Sequence, residues 1–245
     1  LTKPASSSCT ETAFASGNQP LSPWPREDNS LCDIDRIQQG IVNELFLGRL
    51  MIHPQGLISD PAFRVNEQAE NDPVIATGPS ARLGYSGYSL GGILGGTFTA
   101  VSPDADRGML GVPGLRFSLL LPRSTQYDPF GSLLNVNYPD PLERSLILSL
   151  LQLLWDRGEP NGYAKRITFQ PLPNTPPHEV LIMAAIGDHQ VSNFSTDILA
   201  RATGAGARQP LIDVDRWPGM DLGWGVSPIT AYPFAGSGLI YADTG

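Results

Sequence analysis

Residues 84–96, GYSGYSLGGILGG, hold six glycines in thirteen positions around one serine, Ser89. That is too much glycine for the interior of an ordinary helix or strand. Gly87-Tyr88-Ser89-Leu90-Gly91 fits G-x-S-x-G. In that pattern the serine occupies a sharp turn from strand to helix, and the glycines leave room for closely packed chain. The strained turn exposes the serine oxygen at the top of a sheet. The helix N-terminus behind it favours negative charge. The N–H of the next residue, here Leu90, serves as an oxyanion donor. The chemistry implied is acyl transfer through a serine nucleophile. The competing reading is a purely structural tight turn. A phosphate-binding loop fits poorly, because no lysine follows as in G-x-x-x-x-G-K-[ST] and G-x-G-x-x-G is absent. Ser86 is a second serine, but its flanks do not match the pattern.

The elements around this turn follow from hydrophobic spacing. Ile34, Ile37, Ile41, Leu45 and Leu50 form one apolar stripe at helical spacing, with Asp33 as a cap, ending near Ile52 and His53 before Pro54. Residues 54–79 read as a polar loop. ARLGYSGYS predicts a strand, LGGILGGTFTAV a buried helix stopped by Pro103, and RGMLGVPG a second buried strand. Residues 114–124 are apolar and ambiguous. Asp140-Pro141-Leu142-Glu143 is a helix-start signature, and the helix after it is apolar on most sides, so it should be buried or lie over a cleft. HEVLIMAAIGDHQV predicts a third strand ending at Gly187-Asp188, SNFSTDILARATGA a helix stopped by Gly204, and GSGLIYADTG a last strand. Strands alternating with helices predict a mostly parallel α/β sheet flanked by helices.

Composition bounds the partners. The chain has 245 residues, 41% hydrophobic and 16% charged, with formal net charge −8. This suits one globular domain. It argues against nucleic-acid or anionic-membrane partners. No apolar run reaches the roughly 18 residues of a membrane helix. Residues 1–32 read as an extended arm and 33–245 as the domain. Cys9 and Cys32 both lie in the Ser/Pro/Thr-rich arm, a placement that suits a loop-stapling disulfide and an extracytoplasmic setting; two free thiols are the competing reading. LTKPASSS is polar and does not begin with Met, as expected of a processed chain or a portion of one. Three scattered histidines and two early cysteines lack zinc spacing. The aspartates from Asp213 to Asp221 lack the glycine and glutamate of a calcium loop. No metal and no cofactor is expected. Tyr88, Trp217 and Trp224 are candidates for a substrate cleft, with packing as the default reading. Asn193-Phe194-Ser195 fits a glycosylation sequon.

GYSLGG between a strand and a helix resembles the nucleophile turn of the α/β-hydrolase superfamily of esterases, lipases and peptidases. GGILGGTFTAVSPDADRGMLGVPG, YPDPLERSLILSLLQLLWDRGEPNGYA and IGDHQVSNFSTDILARATGA resemble large bacterial α/β-hydrolase-like proteins, so the likeness covers roughly residues 33–245. The resemblance implies a triad in the chain order Ser, acid, His. Asp188-x-x-Val191 resembles the acid turn that follows a late strand; its carboxylate would orient an imidazole and stabilise its protonated form. The competing reading has Asp188 capping the next helix. The implied histidine should follow the last strand, and no good match stands there. His189 is a candidate base, but adjacent side chains diverge along extended chain, so it is poorly placed to bridge Asp188 and Ser89. His178 begins the same strand at its far end, and His53 sits in a polar loop. Few strands precede the serine turn, where the superfamily finds its second oxyanion donor. The expectation is therefore a hydrolase-like sheet that is incomplete in this chain, part of a larger or multi-chain enzyme, with the histidine and one donor on other segments. Residues 114–160 stand where the superfamily inserts cap domains, here a candidate helical cap over an acyl pocket. The implied function is hydrolysis of a small-molecule or lipid-like ester, or of a thioester or amide. The alternative is a non-catalytic hydrolase-fold subunit that lacks the histidine.

Overall fold

A computed structural model describes residues 30–79, 81–212 and 221–243. Cys9 and Trp217 lie outside them, and with them the pairing of Cys9 with Cys32 and any place for Trp217 in a cleft. Helix α1 (Ser30–Ile52) leads through three short 3₁₀ turns to strand β1 (Leu83–Tyr88). Helix α2 (Leu90–Val101) and strand β2 (Ala105–Gly111) follow, then helices α3 (Phe117–Leu120), α4 (Asp128–Asn137), α5 (Pro141–Trp155) and α6 (Ala164–Thr168). Strand β3 (Glu179–Ala185), helix α7 (Asn193–Thr203) and strands β4 (Gly206–Arg208), β5 (Pro228–Ile229) and β6 (Gly238–Ala242) complete the order. The six strands form one sheet, in the order β1-β2-β3-β6-β4-β5, and every pairing is parallel. No described helix is long and apolar enough to cross a membrane.

Local chemistry sets the boundaries. Helix α1 begins at Ser30, so Asp33 lies inside it rather than capping it. Asp140 caps α5, accepting from Leu142 N at 2.8 Å, with Pro141 in the first helical position. Ser192 caps α7, and Gly204 ends it at φ 69° in the left-handed region. Asp188, read as a competing cap for α7, instead closes the turn before it, its Oδ1 accepting from Gln190 N at 2.8 Å and Val191 N at 3.0 Å.

Each connection from β1 through β2 and β3 to β4 steps the same way across the sheet. Right-handed crossovers that all step one way put their helices on one side. Accordingly α2, α6 and α7 pack together on one face. There they bury Leu110, Val180, Ile182 and Leu239, each at most 2% exposed. The return from β5 to β6 carries no helix. The alternate residues Met109, Leu181 and Ile240 point to the opposite face.

Residues 114–160 form α3, α4 and α5 with their connections. Helix α5 departs from expectation. Only Gln152 and Trp155 are buried, whereas Leu142, Leu146, Leu150 and Leu153 are 53–77% exposed. None of them lines the cavity that contains Asp188. The α5 end is fixed by a polar cluster instead. Glu159, fully buried, accepts from Gln152 Nε2, from Arg116 N at 3.1 Å and from Asn161 N at 3.1 Å. Gln152 also accepts from Ser118 N at 2.9 Å and donates to Asp156 at 2.6 Å. The cluster ties α5 to the loop after β2, where Arg116 is held at φ 70°.

Burial pushes the Glu159 carboxyl up from about 4.5 to about 7, against the pull of its three donors. Between those values the folded protein holds a proton that the unfolded chain has released. Stability is then greatest below the unfolded value and falls as pH rises toward 7, by at most about 3 kcal/mol at roughly 1.4 kcal/mol per unit. Glu159→Gln should flatten this slope. Urea denaturation of both proteins at pH 5 and pH 7.5 measures it, and equal pH dependence in the two would refute the assignment.

Candidate active site

Strand β1 runs into the turn at Ser89 and out into α2 without an intervening loop. Ser89 N donates to Gly111 O at 3.0 Å, continuing the β1–β2 ladder by one residue. Ser89 itself has φ 54° and ψ −123°. Backbone of this kind is strained for a residue with a Cβ, costs of order 1–3 kcal/mol and persists only where its surroundings impose it.

The surroundings are glycine contacts. A Cβ on Gly92 would collide with Gly111 O, and one on Gly95 with the Tyr85 ring. Both glycines therefore let α2 lie directly on β1 and β2. A Cβ on Gly87 would come within 2.6 Å of Gly91 O and of the Tyr85 hydroxyl. Gly91 differs: a Cβ there would meet only Tyr85 Oη, at an ordinary 3.7 Å. Of the two glycines flanking Ser89 in the motif, only Gly87 is sterically required. Tyr85 completes the arrangement by donating its hydroxyl to Gly91 O at 2.7 Å.

A serine before a helix normally turns its side chain onto the first amides. Ser89 makes no such bond, and it is exposed. Its hydroxyl stands outside the helix end rather than closing it. The first four amides of an α-helix have no intrahelical acceptor, so Leu90 N–H is available beside the Ser89 hydroxyl. Together they give a nucleophilic oxygen next to a donor for a developing oxyanion. Tyr88 and Leu90 flank it at 60% and 50% exposure. Tyr88 lies over Gly111, where a Cβ would collide with its ring.

The remaining candidates lie elsewhere. Asp188 is on the same edge of the sheet, after β3, two strand spacings or about 10 Å across from β1. It is half-buried and its Oδ1 is held by the turn amides of Gln190 and Val191. Asp188 and His189 line a cavity of about 460 Å³ with Asp197, Asp221 and Trp224, and Ser89 is not part of that lining. His189 is exposed. His178 lies at the other edge, buried, its ring nitrogens against Ser102 O at 2.9 Å and Ile167 O at 3.2 Å. His53 follows α1, exposed, its Nδ1 accepting from Gln55 N at 3.0 Å. Nearby Arg49 of α1 pairs at 2.7 Å with Asp104, ahead of β2 and so also at that far edge. Asn193 of the sequon is buried, with its amide on Ala185 O and Gly187 N, where it is closed to a glycan.

Sequence reasoning missed Asp197. It is 3% exposed, accepts from the Tyr241 hydroxyl and from Gly223 N at 3.2 Å, and burial pushes its carboxyl up. Its own burial, and after it the bond to Asp197, push the Tyr241 phenol up as well. Beside them Arg201 lies 5.0 Å from the Trp224 ring centroid and donates to Trp224 O. The available signal was a carboxylate on the apolar side of α7, among Thr196, Leu199 and Ala200. Among the described residues no group of three or more His, Cys, Asp or Glu is arranged to hold a metal ion. Compared with known protein families, curated proteins and solved structures, the chain matches none.

The strain at Ser89 is measurable. Glycine adopts φ 54°, ψ −123° without cost from a Cβ, so Ser89→Gly should be more stable than Ser89→Ala by about 1 kcal/mol or more. Thermal denaturation of the two variants checks this; equal stabilities would mean that the turn relaxes.

Proposed function

We propose that the chain supplies the nucleophile of a serine hydrolase acting on esters, with thioesters and amides as the wider class. In this it is similar to the α/β-hydrolase superfamily. The observation that carries the reading is the Ser89 backbone, held at φ 54°, ψ −123° between a parallel strand and a glycine-packed helix, with a hydroxyl that does not cap that helix. Strain of this kind clusters at functional sites.

The Ser89 oxygen attacks the substrate carbonyl carbon and its proton passes to a base. The developing oxyanion is stabilised by Leu90 N–H and the α2 N-terminus. Collapse breaks the bond to the alcohol, thiol or amine, which leaves with that proton, and water then releases the acid from the acyl-enzyme. Asp188 is the proposed orienting carboxylate. The base is proposed to be an imidazole on another polypeptide segment or chain, because His53 and His178 stand at the opposite edge of the sheet and His189 lines a cavity whose lining leaves out Ser89. An ester is the first choice of substrate because the candidate cap, residues 114–160, also exposes hydrocarbon outside the α5 row, at Leu133 and Val136. The arm cysteines are the ground for proposing an extracytoplasmic setting.

The placement of the histidines also favours a second reading, a non-catalytic subunit that keeps the turn for its packing. A fluorophosphonate probe applied to the native protein separates the two. Covalent labelling mapped to Ser89 and lost in Ser89→Ala is expected. An intact, folded protein that takes no label would overturn the enzyme reading and leave the structural subunit.

A further inference from the structure

The geometry points to head-to-tail self-association, in which the leucine row of α5 from one copy seats on the open face of the sheet in the next. Each surface is unusual alone, and each has the form the other lacks.

The receiving surface is the sheet face opposite α2, α6 and α7. Parallel sheets are ordinarily covered on both faces, by helices. Here the floor is Met109, Leu181 and Ile240, Tyr232 and Phe234 form one wall, and the Arg107–Glu179 ion pair, at 3.5 Å, stands at the end where β2 and β3 begin, in a trough of about 460 Å³. Leu181, in mid-strand, is 38% exposed, and Tyr232 and Phe234 are 58% and 47% exposed. Gly84 and Gly238 leave the floor low, since a Cβ on either would meet nothing closer than 3.8 Å. What such a face accepts is an apolar helix.

The donating surface is α5. Leu142, Leu146 and Leu150 form one i, i+4 ridge, with Leu153 continuing it, all more than half exposed. The row spans about 17 Å at 1.5 Å per residue, close to the roughly 17 Å of a five-residue strand such as β6. Polar groups along this segment turn away from the surface they could serve. Ser145 Oγ donates to Pro141 O at 3.0 Å, and Ser149 Oγ to Ser145 O at 2.8 Å. Arg144 folds back onto Tyr138 O and Pro139 O at 2.9 and 2.8 Å. These side chains bond within their own segment, which leaves the leucine row as a hydrocarbon ridge. Charge agrees. Glu143, next to the row, has no ion-pair partner among the described residues, and neither does Arg208 on the trough. A copy of the chain brings one to the other.

Because the two surfaces differ, the contact is heterologous, and it either closes into a ring or extends. This gives a decisive mixing experiment with the 245-residue chain. Leu146→Glu/Leu150→Glu blocks the helix and Leu181→Lys blocks the sheet; far-UV circular dichroism and melting confirm that both fold. Light scattering after size exclusion should show wild-type mass rising with concentration, each variant alone monomeric, and an equimolar mixture giving a one-to-one dimer. Glu143→Lys in the sheet-blocked partner should weaken that dimer at least several-fold, and Arg208→Glu in the other should restore it. A monomeric wild type or monomeric mixture overturns the inference. So does a Leu181→Lys variant that associates as wild type does, which would mean a helix-to-helix contact instead.

Discussion

The central constraint is the close approach of α2 to strands β1 and β2. Gly92 against Gly111 O and Gly95 against the Tyr85 ring permit a separation that any side chain would forbid. With the helix this near and no loop between them, one residue must absorb the whole reversal of direction. That residue is Ser89, and its left-handed backbone is the geometric remainder of two straight elements packed too closely for a relaxed corner. Gly87 clears the inside of the corner, and the Tyr85 hydroxyl ties the first turn of α2 back to the strand.

The neighbouring loop is fixed by a different chemistry. Ser195 Oγ accepts from Leu115 N and donates to Leu115 O, Thr196 Oγ1 donates to Pro113 O, and Glu159 receives Arg116 N. The loop after β2 is thereby bolted to α7 on one side and to the end of α5 on the other. It holds Val112 at φ 43°, an unfavourable value for a β-branched residue. The sheet edge that carries Ser89 is thus bordered by backbone with little freedom to relax, which is the condition for keeping the strained turn intact.

Much of this was legible from local pattern. The G-x-S-x-G turn, the cap at Asp140, the stop at Gly204 and the strands around Leu110 and Ile182 each depend on a few adjacent residues, and the structure has them where the sequence puts them. What escaped depends on distant chain. Strands β4 and β5 have three and two residues, too short to show a period, and exist because β6 lies beside β4 and β4 beside β5. Helix α4 begins at Asp128-Pro129 and carries Phe130, Leu133 and Leu134 at helical spacing, but its ten residues repeat that pattern over fewer than three turns. The apolar α5 suggested burial because composition reports hydrophobicity but not which surface receives it. Glu159 and Asp197 look like ordinary acidic residues until tertiary packing removes their water.

Among the described residues, strand β1 is the first strand of the sheet and pairs on one side only. Ser89 therefore stands at a corner of the described sheet, with its own strand, its helix and β2 defining one half of its surroundings. Among the described residues no strand borders the other half, and the hydrogen-bonding edge there carries no proline or charge within LGYSGY. The chain thereby separates two tasks that a closed pocket would merge. It determines where the oxygen stands and which amide faces it, and it leaves the choice of what that oxygen meets to whatever comes to border β1.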